Sequence, residues 1–370
     1  FLMETTKTPK HPKGLFFLAF TEFWERFGYY LMIGIFFLYM TDTETGGFGW
    51  ENAKASDVFG TFIACVYLTP FVGGLLADMK LGYRFAVTLG GILMGIGYCL
   101  LSIKAEWAFY TSLCVMIVGN GFFKPNISTL LGNLYNDPRY KANKDTGYNL
   151  FYMSINIGAF LCNFIAAFMR IKYGWSWAFI AAGVGMFIGV ITFWVGMKHY
   201  KHVDVRKEPS PQDKPVIMRF LAVLGIAVVF GMIGWFIPDT IFGSDSTDAF
   251  LCACIPVVYF YYTVYKSCTT EEKKPMGTMF TIFGIVIIFW AIFKLNGTAL
   301  TTYANSYTDR AMPEMLVKPA KYFSQCDTSV VASNDSVYVL DSQFRRVKDA
   351  SGKALKTYAY PSYFKNLDPA

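Results

Sequence analysis

Charge is scarce in this chain. Asp, Glu, Lys and Arg make up 16% of its 370 residues, against about 25% in an ordinary soluble domain. That is too little to clothe a water-facing surface. Histidine is scarcer, at 3 residues, which leaves little room for His-based catalysis. Eight cysteines are present, mostly singly in apolar stretches, where they act as small hydrophobes. Cys252 and Cys254 are too close for a CxxC site and have no histidine beside them, so neither a metal site nor a cofactor is expected. No HExxH, GxSxG or paired-Asp motif lies in an apolar run, which argues against an enzyme. No cleavable signal peptide is visible either, because the first apolar run is too long and carries charge in its middle.

Apolar and aromatic surface fills the gap. Hydrophobic residues reach 54% and aromatics 18%, with 36 Phe and 24 Tyr. Several apolar runs exceed the ~18 residues that suggest a membrane span. An all-α polytopic membrane protein is therefore expected. Nine segments are read, near 14–40, 54–79, 83–104, 107–132, 147–169, 174–197, 216–238, 249–266 and 276–306. Each is long enough for a ~30 Å hydrocarbon core at about 1.5 Å per residue.

The formal net charge of +7 follows from loop topology rather than from affinity for nucleic acid. Lys7, Lys10 and Lys13, then Lys80 and Arg84, Arg139, Lys141 and Lys144, the run Lys198 to Lys214, and Lys266, Lys273 and Lys274 all fall in one set of loops. The alternate loops TDTETGGFGWE (41–51) and DTIFGSDSTD (239–248) have no Lys or Arg. The positive-inside rule then places the N-terminus in the cytoplasm of a multi-pass protein of the cell membrane. Arg170 and Lys172 run against that pattern. Nine crossings leave 307–370 outside. There VYVL (337–340) and the turn-like DASGKA (349–354) suggest a small β-rich external segment.

Three charges break into the first apolar run, in TEFWERFGYY (21–30). A charge at the bilayer centre costs roughly 2.5–3.5 kcal/mol, so Glu22, Glu25 and Arg26 together cost on the order of 9. Each Leu, Ile or Phe returns only ~0.3–0.6 kcal/mol. Such residues belong inside a bundle or against a wet cavity. Glu22, Glu25, Arg26, Tyr29 and Tyr30 follow i, i+3, i+4, i+7, i+8, which is one helical face. Lys124, in GNGFFKPN (119–126), lies ~12 Å from the end of its segment, and Glu22 to Arg26 lie ~12–18 Å from theirs. They fit at one level. A self-neutralising structural ion pair and a snorkelling Lys124 would be the plainer explanations. Trp290 and Lys294, in FWAIFKLNG (289–297), lie in the ninth segment, which offers Lys294 no acid partner. Tyr67, Asn120, Asn156 and Asn163 add polar groups that as a set imply a polar cavity.

These stretches resemble a known family. EFWERFGYY (22–30) resembles the first-helix ExxERFxYY motif of the proton-dependent oligopeptide transporters (POT), within the major facilitator superfamily. NLFYMSINIGAF (149–160) resembles their fifth-helix FYxxINxG signature, and GNGFFKPNIS (119–128) their fourth-helix lysine motif. GGLLADMKLGYR (73–84) resembles the superfamily's loop between helices two and three. The resemblance implies a six-helix bundle over 14–197 after a cytoplasmic 1–13. A linker with two extra helices would follow over 198–275, then core helix seven over 276–306 and the external 307–370. It also implies a second bundle, five helices of which are not in this chain, so that the chain is a fragment.

What the resemblance implies for function is proton-coupled symport of di- and tripeptides by alternating access, with the lipid bilayer as surroundings. Arg26 and Lys124 suit a peptide carboxylate. Tyr29, Tyr30 and Tyr67 offer hydroxyls and aromatic surface, Asn156 a backbone hydrogen bond and Trp290 a packing face. Glu22 and Glu25, beside Arg26 and Lys124, suit proton coupling. Asp78 and Arg84 are expected at a cytoplasmic gate, Asp78 near a helix N-terminus; a purely topogenic loop is the alternative. One departure stands out: the family's helix-seven acid, in a WxxxE arrangement, is here Lys294. An acid–Lys124 pair cannot form there, and two lysines would repel. Rival readings are a symporter of nitrate or another small anion, and a peptide sensor that moves nothing.

Overall fold

The computed structural model describes residues 11–43, 45–205 and 213–306, with a few positions beyond, including 336–338 and 356–358. Within described residues 11–306 the α-helices are, in order, α1 (Lys13–Thr41), α2 (Asn52–Leu76), α3 (Tyr83–Leu101), α4 (Glu106–Leu134), α5 (Lys144–Tyr173), α6 (Trp175–Gly196), α7 (Asp213–Trp235), α8 (Asp245–Ser267), α9 (Thr270–Lys294) and α10 (Ala299–Ser306). Eight of the nine predicted segments coincide with α1 to α8 to within a few residues. The ninth does not run through. It breaks after Lys294 into a 3-10 turn, Leu295–Gly297, and resumes as α10. The turn ends at a close approach, where a Cβ at Gly297 would strike the Phe59 ring of α2. Lys294 therefore stands at a helix end rather than in mid-helix.

Among the described residues, six helices are long and apolar enough to cross a membrane. They comprise α2, α3, α5, α6, α8 and the stretch from α9 to α10. The 29-residue α1 and α4 are not among them; their apolar runs are interrupted by Glu22, Glu25 and Arg26 in one and by Asn120, Lys124 and Asn126 in the other. The apolar part of α7 is the shorter Leu221–Trp235.

Helices α1 to α6 pack as a bundle. α1 lies against α5 and α6, α3 against α4 and α6, and α2 against α4. Loop contacts tie the bundle at both ends. At one end His11 Nδ1 and the Tyr135 hydroxyl are 2.7 Å apart, and Asn133 Nδ2 donates to Val203 O at 3.2 Å. At the other, Trp175 Nε1 donates to Asp42 Oδ2 at 2.9 Å and Ser176 Oγ to Ser102 O at 2.7 Å.

The seam that sets the site is α4 between α2 and α3. A Cβ at Gly73 would strike the Gly121 carbonyl, and one at Gly90 would meet Gly119 O. Small residues let the backbones approach this far. Hydrogen bonds lock the register: Thr69 Oγ1 donates to Ile117 O at 2.9 Å, and Asn120 Nδ2 to Val66 O at 2.8 Å.

α7 and α8 form a hairpin that touches the bundle at α2, and α9 touches α8. No described residue of α9 is buried. In the predicted external segment, β1 (Ser336–Tyr338) pairs antiparallel with β2 (Lys356–Tyr358), Val337 facing Thr357. The expected β-rich segment falls on 307–370, most of which, Cys326 included, lies outside the described residues.

Candidate functional site

α1 carries its three charged residues inside the bundle. Glu22, Glu25 and Arg26 are 4%, 0% and 6% exposed. Arg26 Nε lies 3.2 Å from Glu22 Oε1. The same guanidinium grips Glu25 with two arms, Nη2 to Oε1 at 2.7 Å and Nε to Oε2. Glu22 and Arg26 share a face as i and i+4. Glu25 is Arg26's chain neighbour, about 100° away around the helix, so the long arginine stem bends across to reach it. One planar cation thus serves two carboxylates, in the forked geometry that suits guanidinium best. By formal charge the trio is one negative. Among the described residues Glu22 Oε2 and the Tyr29 hydroxyl have no hydrogen-bond partner.

Tyr29 is buried under the Arg26 guanidinium, 5.3 Å from its ring centre. Tyr30 packs edge-on to Tyr29 and is 37% exposed, so the predicted polar face turns outward at its end.

The α4 seam sets Lys124 one turn beyond Gly121. Its ammonium lies 4.8 Å over the Tyr67 ring of α2 and within electrostatic reach of Glu22, Glu25 and Arg26. Depths agree with this. Glu22 and Arg26 are ~14–20 Å from the start of α1, and Lys124 is ~15 Å from the end of α4.

Tyr67 also receives the third helix. Lys294 Nζ donates to its hydroxyl at 3.4 Å, lies 5.2 Å from its ring centre and sits 5.5 Å over the Trp290 ring. The two lysines thus converge on one phenol instead of splaying apart. Cation–π attraction on this face offsets part of their repulsion.

Asn156 is not brought to this cluster. Its Nδ2 donates to Tyr152 O of its own helix at 3.0 Å. With Asn149, Tyr152, Met153, Ile157 and Phe160 it lines an open groove of about 420 Å³ on α5. Asn163 likewise bonds back along α5, to Ala159 O at 3.4 Å.

Asp78 and Arg84 do not meet each other at the loop after α2. A π-helical turn (Ala77–Leu81) and Gly82, at φ 80°, carry the chain into α3. Asp78 bonds the Tyr83 hydroxyl. The acid that sits on the α3 N-terminus is Asp204, not Asp78. Its Oδ1 accepts from Tyr83 N at 2.8 Å, and its Oδ2 accepts from Arg84 Nε at 2.6 Å. The backbone reason is reach. Asp78 precedes the turn, whereas the loop after α6 runs past the exposed N–H groups of α3. Asp204 was visible in the sequence as an acid inside a run of Lys, Arg and His from 198 to 207.

The POT family model matches residues 84–328. That stretch includes the α4 and α5 motifs and excludes the α1 motif. The chain is 36% identical over 309 residues to the uncharacterized transporter YclF of Bacillus subtilis, covering 80% of this chain and 60% of that protein. It is 31% identical to a di-/tripeptide transporter of Lactococcus lactis subsp. lactis, covering 80% and 61%. The chain thus spans about 60% of the length of these curated relatives. Among solved structures, a peptide transporter POT in complex with sulfate superposes with a TM-score of 0.69 at 33% identity, covering 85% of this chain and 65% of that one. A POT family transporter in complex with 5-aminolevulinic acid superposes with a TM-score of 0.69 at 27% identity, covering 82% and 63%. Together with the six membrane-capable helices, these matches identify a multi-pass membrane protein of the major facilitator type, and the chain belongs to the POT family its motifs resemble.

Proposed function

We propose that the protein imports di- and tripeptides with protons by alternating access, with its N-terminus in the cytoplasm. The observation that carries this reading is the sharing of Arg26 by two buried carboxylates beside Lys124. The Lactococcus relative is named a di-/tripeptide transporter, and a neighbour is described in complex with a peptide conjugate. Both support the substrate class.

The chemistry follows from competition for cations. A peptide's terminal carboxylate is drawn to Arg26 and Lys124. Each bond it takes from Arg26 is one lost by Glu22 or Glu25. A buried carboxylate without its cation is a costly charge, and a proton relieves it. Loading of peptide and loading of proton are then one coupled event. Tyr29, Tyr30, Tyr67 and Trp290 supply aromatic wall, and Asn156 a polar group on the α5 groove. Arg84 and Asp204, with Asp78 and Tyr83, act as a latch at the cytoplasmic end, opened as the bundles rock.

The test is uptake by the full-length protein in proteoliposomes. Glu25→Gln is expected to abolish accumulation driven by a pH gradient while keeping peptide counterflow. Normal gradient-driven accumulation by that variant would refute the role. Unlabelled nitrate that competes with dipeptide uptake would favour a small-anion carrier instead.

A further inference from the structure

Among the described residues the formal charges around Tyr67 do not balance. Glu22 and Glu25 supply two negative charges; Arg26, Lys124 and Lys294 supply three positive ones. Arg26 is spent on the two glutamates. None of the ion pairs found among the described residues includes Lys124 or Lys294. Both ammoniums lie about 5 Å from the centre of one ring, and Lys294 also reaches its hydroxyl. Tyr67 is 49% exposed and Trp290 44% among the described residues. Lys294 is held there by its backbone. The 3-10 turn that follows it packs on α1, with Gly297 tight against Phe59.

A zwitterionic peptide brings no net charge and leaves the surplus in place. Proton uptake by either glutamate enlarges it. A ligand with one further anionic group lowers it by one and gives the Lys294 ammonium a charge-assisted partner. Resting on the peptide-import reading, we propose that Lys294, set beside Lys124 at Tyr67, forms a subsite for a second carboxylate, so that the protein favours peptides with an acidic side chain.

The experiment is competition for labelled Ala-Ala uptake by the full-length protein, using unlabelled Ala-Ala, Ala-Glu, Ala-Lys and sodium sulfate. Ala-Glu is expected to inhibit at about tenfold lower concentration than Ala-Ala, the scale of one charged hydrogen bond. Lys294→Gln should bring that ratio to about one. Lys294→Glu should make Ala-Lys a better competitor than Ala-Glu, an inversion that loss of packing would not produce. Equal potency of the three peptides, or a preference unchanged in both variants, overturns the subsite and leaves peptide import standing. Competition by sulfate that depends on Lys294, without any advantage for Ala-Glu, overturns the side-chain carboxylate as its ligand. Absence of dipeptide uptake by the unsubstituted protein overturns both readings.

Discussion

Arg26 is the residue on which two buried acids depend. Removing one partner of a buried ion pair costs roughly 3–5 kcal/mol, because the orphaned charge stays in low dielectric. Arg26→Ala is therefore expected to lower the Tm of the detergent-solubilised protein severely, with Glu22→Gln/Glu25→Gln in the same chain restoring most of the loss. An unchanged Tm for Arg26→Ala would mean that water already solvates the trio. Asp42, in the loop after α1, is a milder case with a pH signature. Burial pushes its carboxyl up, but bonds from Trp175, Thr45 and Gly47 outweigh that and hold it below the usual carboxylate range. A carboxylate so held stabilises the fold above its unfolded pKa of about 3.9, and the contribution fades as pH falls below that value. Asp42→Asn should cost about 1 kcal/mol at pH 7, the site being only half-buried and screened. The deficit should shrink when Tm is measured toward pH 3; a deficit constant with pH would exclude ionisation as its source. At this scale the sequence was informative where cost was high. Three charges in an apolar run demanded an interior position. It was silent where a partner comes from a distant part of the chain, as with Trp175 on Asp42 or Asp204 on Arg84, because spacing reports one helix's face and not its neighbour.

The α2–α4–α3 seam works at the scale of whole elements. Gly73, Gly90, Gly119 and Gly121 bring three backbones together, and that approach delivers Tyr67 to Lys124. Gly121→Leu places a side chain where the Thr69 backbone stands. Overpacking of this kind costs about 1–3 kcal/mol or more. Both Tm and substrate affinity are expected to fall, whereas Gly60→Leu on the same α2, with open space around it, should change neither. Equal behaviour of the two variants would show that the seam does not position the site. Helix limits were largely readable from apolar length and flanking charge, which is why α1 to α8 lie where the runs lie. The break at Leu295–Gly297 was not. The Asn-Gly pair in KLNG is a turn signal that lay inside an apolar run, and Phe59, which the glycine packs against, is more than two hundred positions earlier in the chain. Lys294 was consequently read as a mid-helix charge, and its meeting with Tyr67 stayed hidden.

At the scale of the whole molecule, the α7–α8 hairpin hangs on few contacts. It packs internally, and Asp248 folds its loop by accepting from Ile241 N at 2.7 Å and Phe242 N at 2.8 Å. Against the bundle, α8 meets α2, where Asp57 accepts from Ser244 Oγ at 2.7 Å and from Ser246 Oγ. These hydroxyls sit at the N-cap and in the first turn of α8, so one carboxylate docks a whole hairpin through its helix start. Two acids thus divide the labour: Asp248 shapes the loop and Asp57 attaches it. Hydrogen–deuterium exchange separates them. Asp57→Ala removes about 1 kcal/mol of net docking, so opening of the 239–250 segment should become roughly fivefold more frequent, while α1 to α6 exchange as before. Asp248→Ala should instead expose the Ile241 and Phe242 amides without freeing the start of α8 from α2. If Asp57→Ala left exchange at 239–250 untouched, the apolar surface between the helices would be the true attachment, and the serine-capped start of α8 would serve only its own helix.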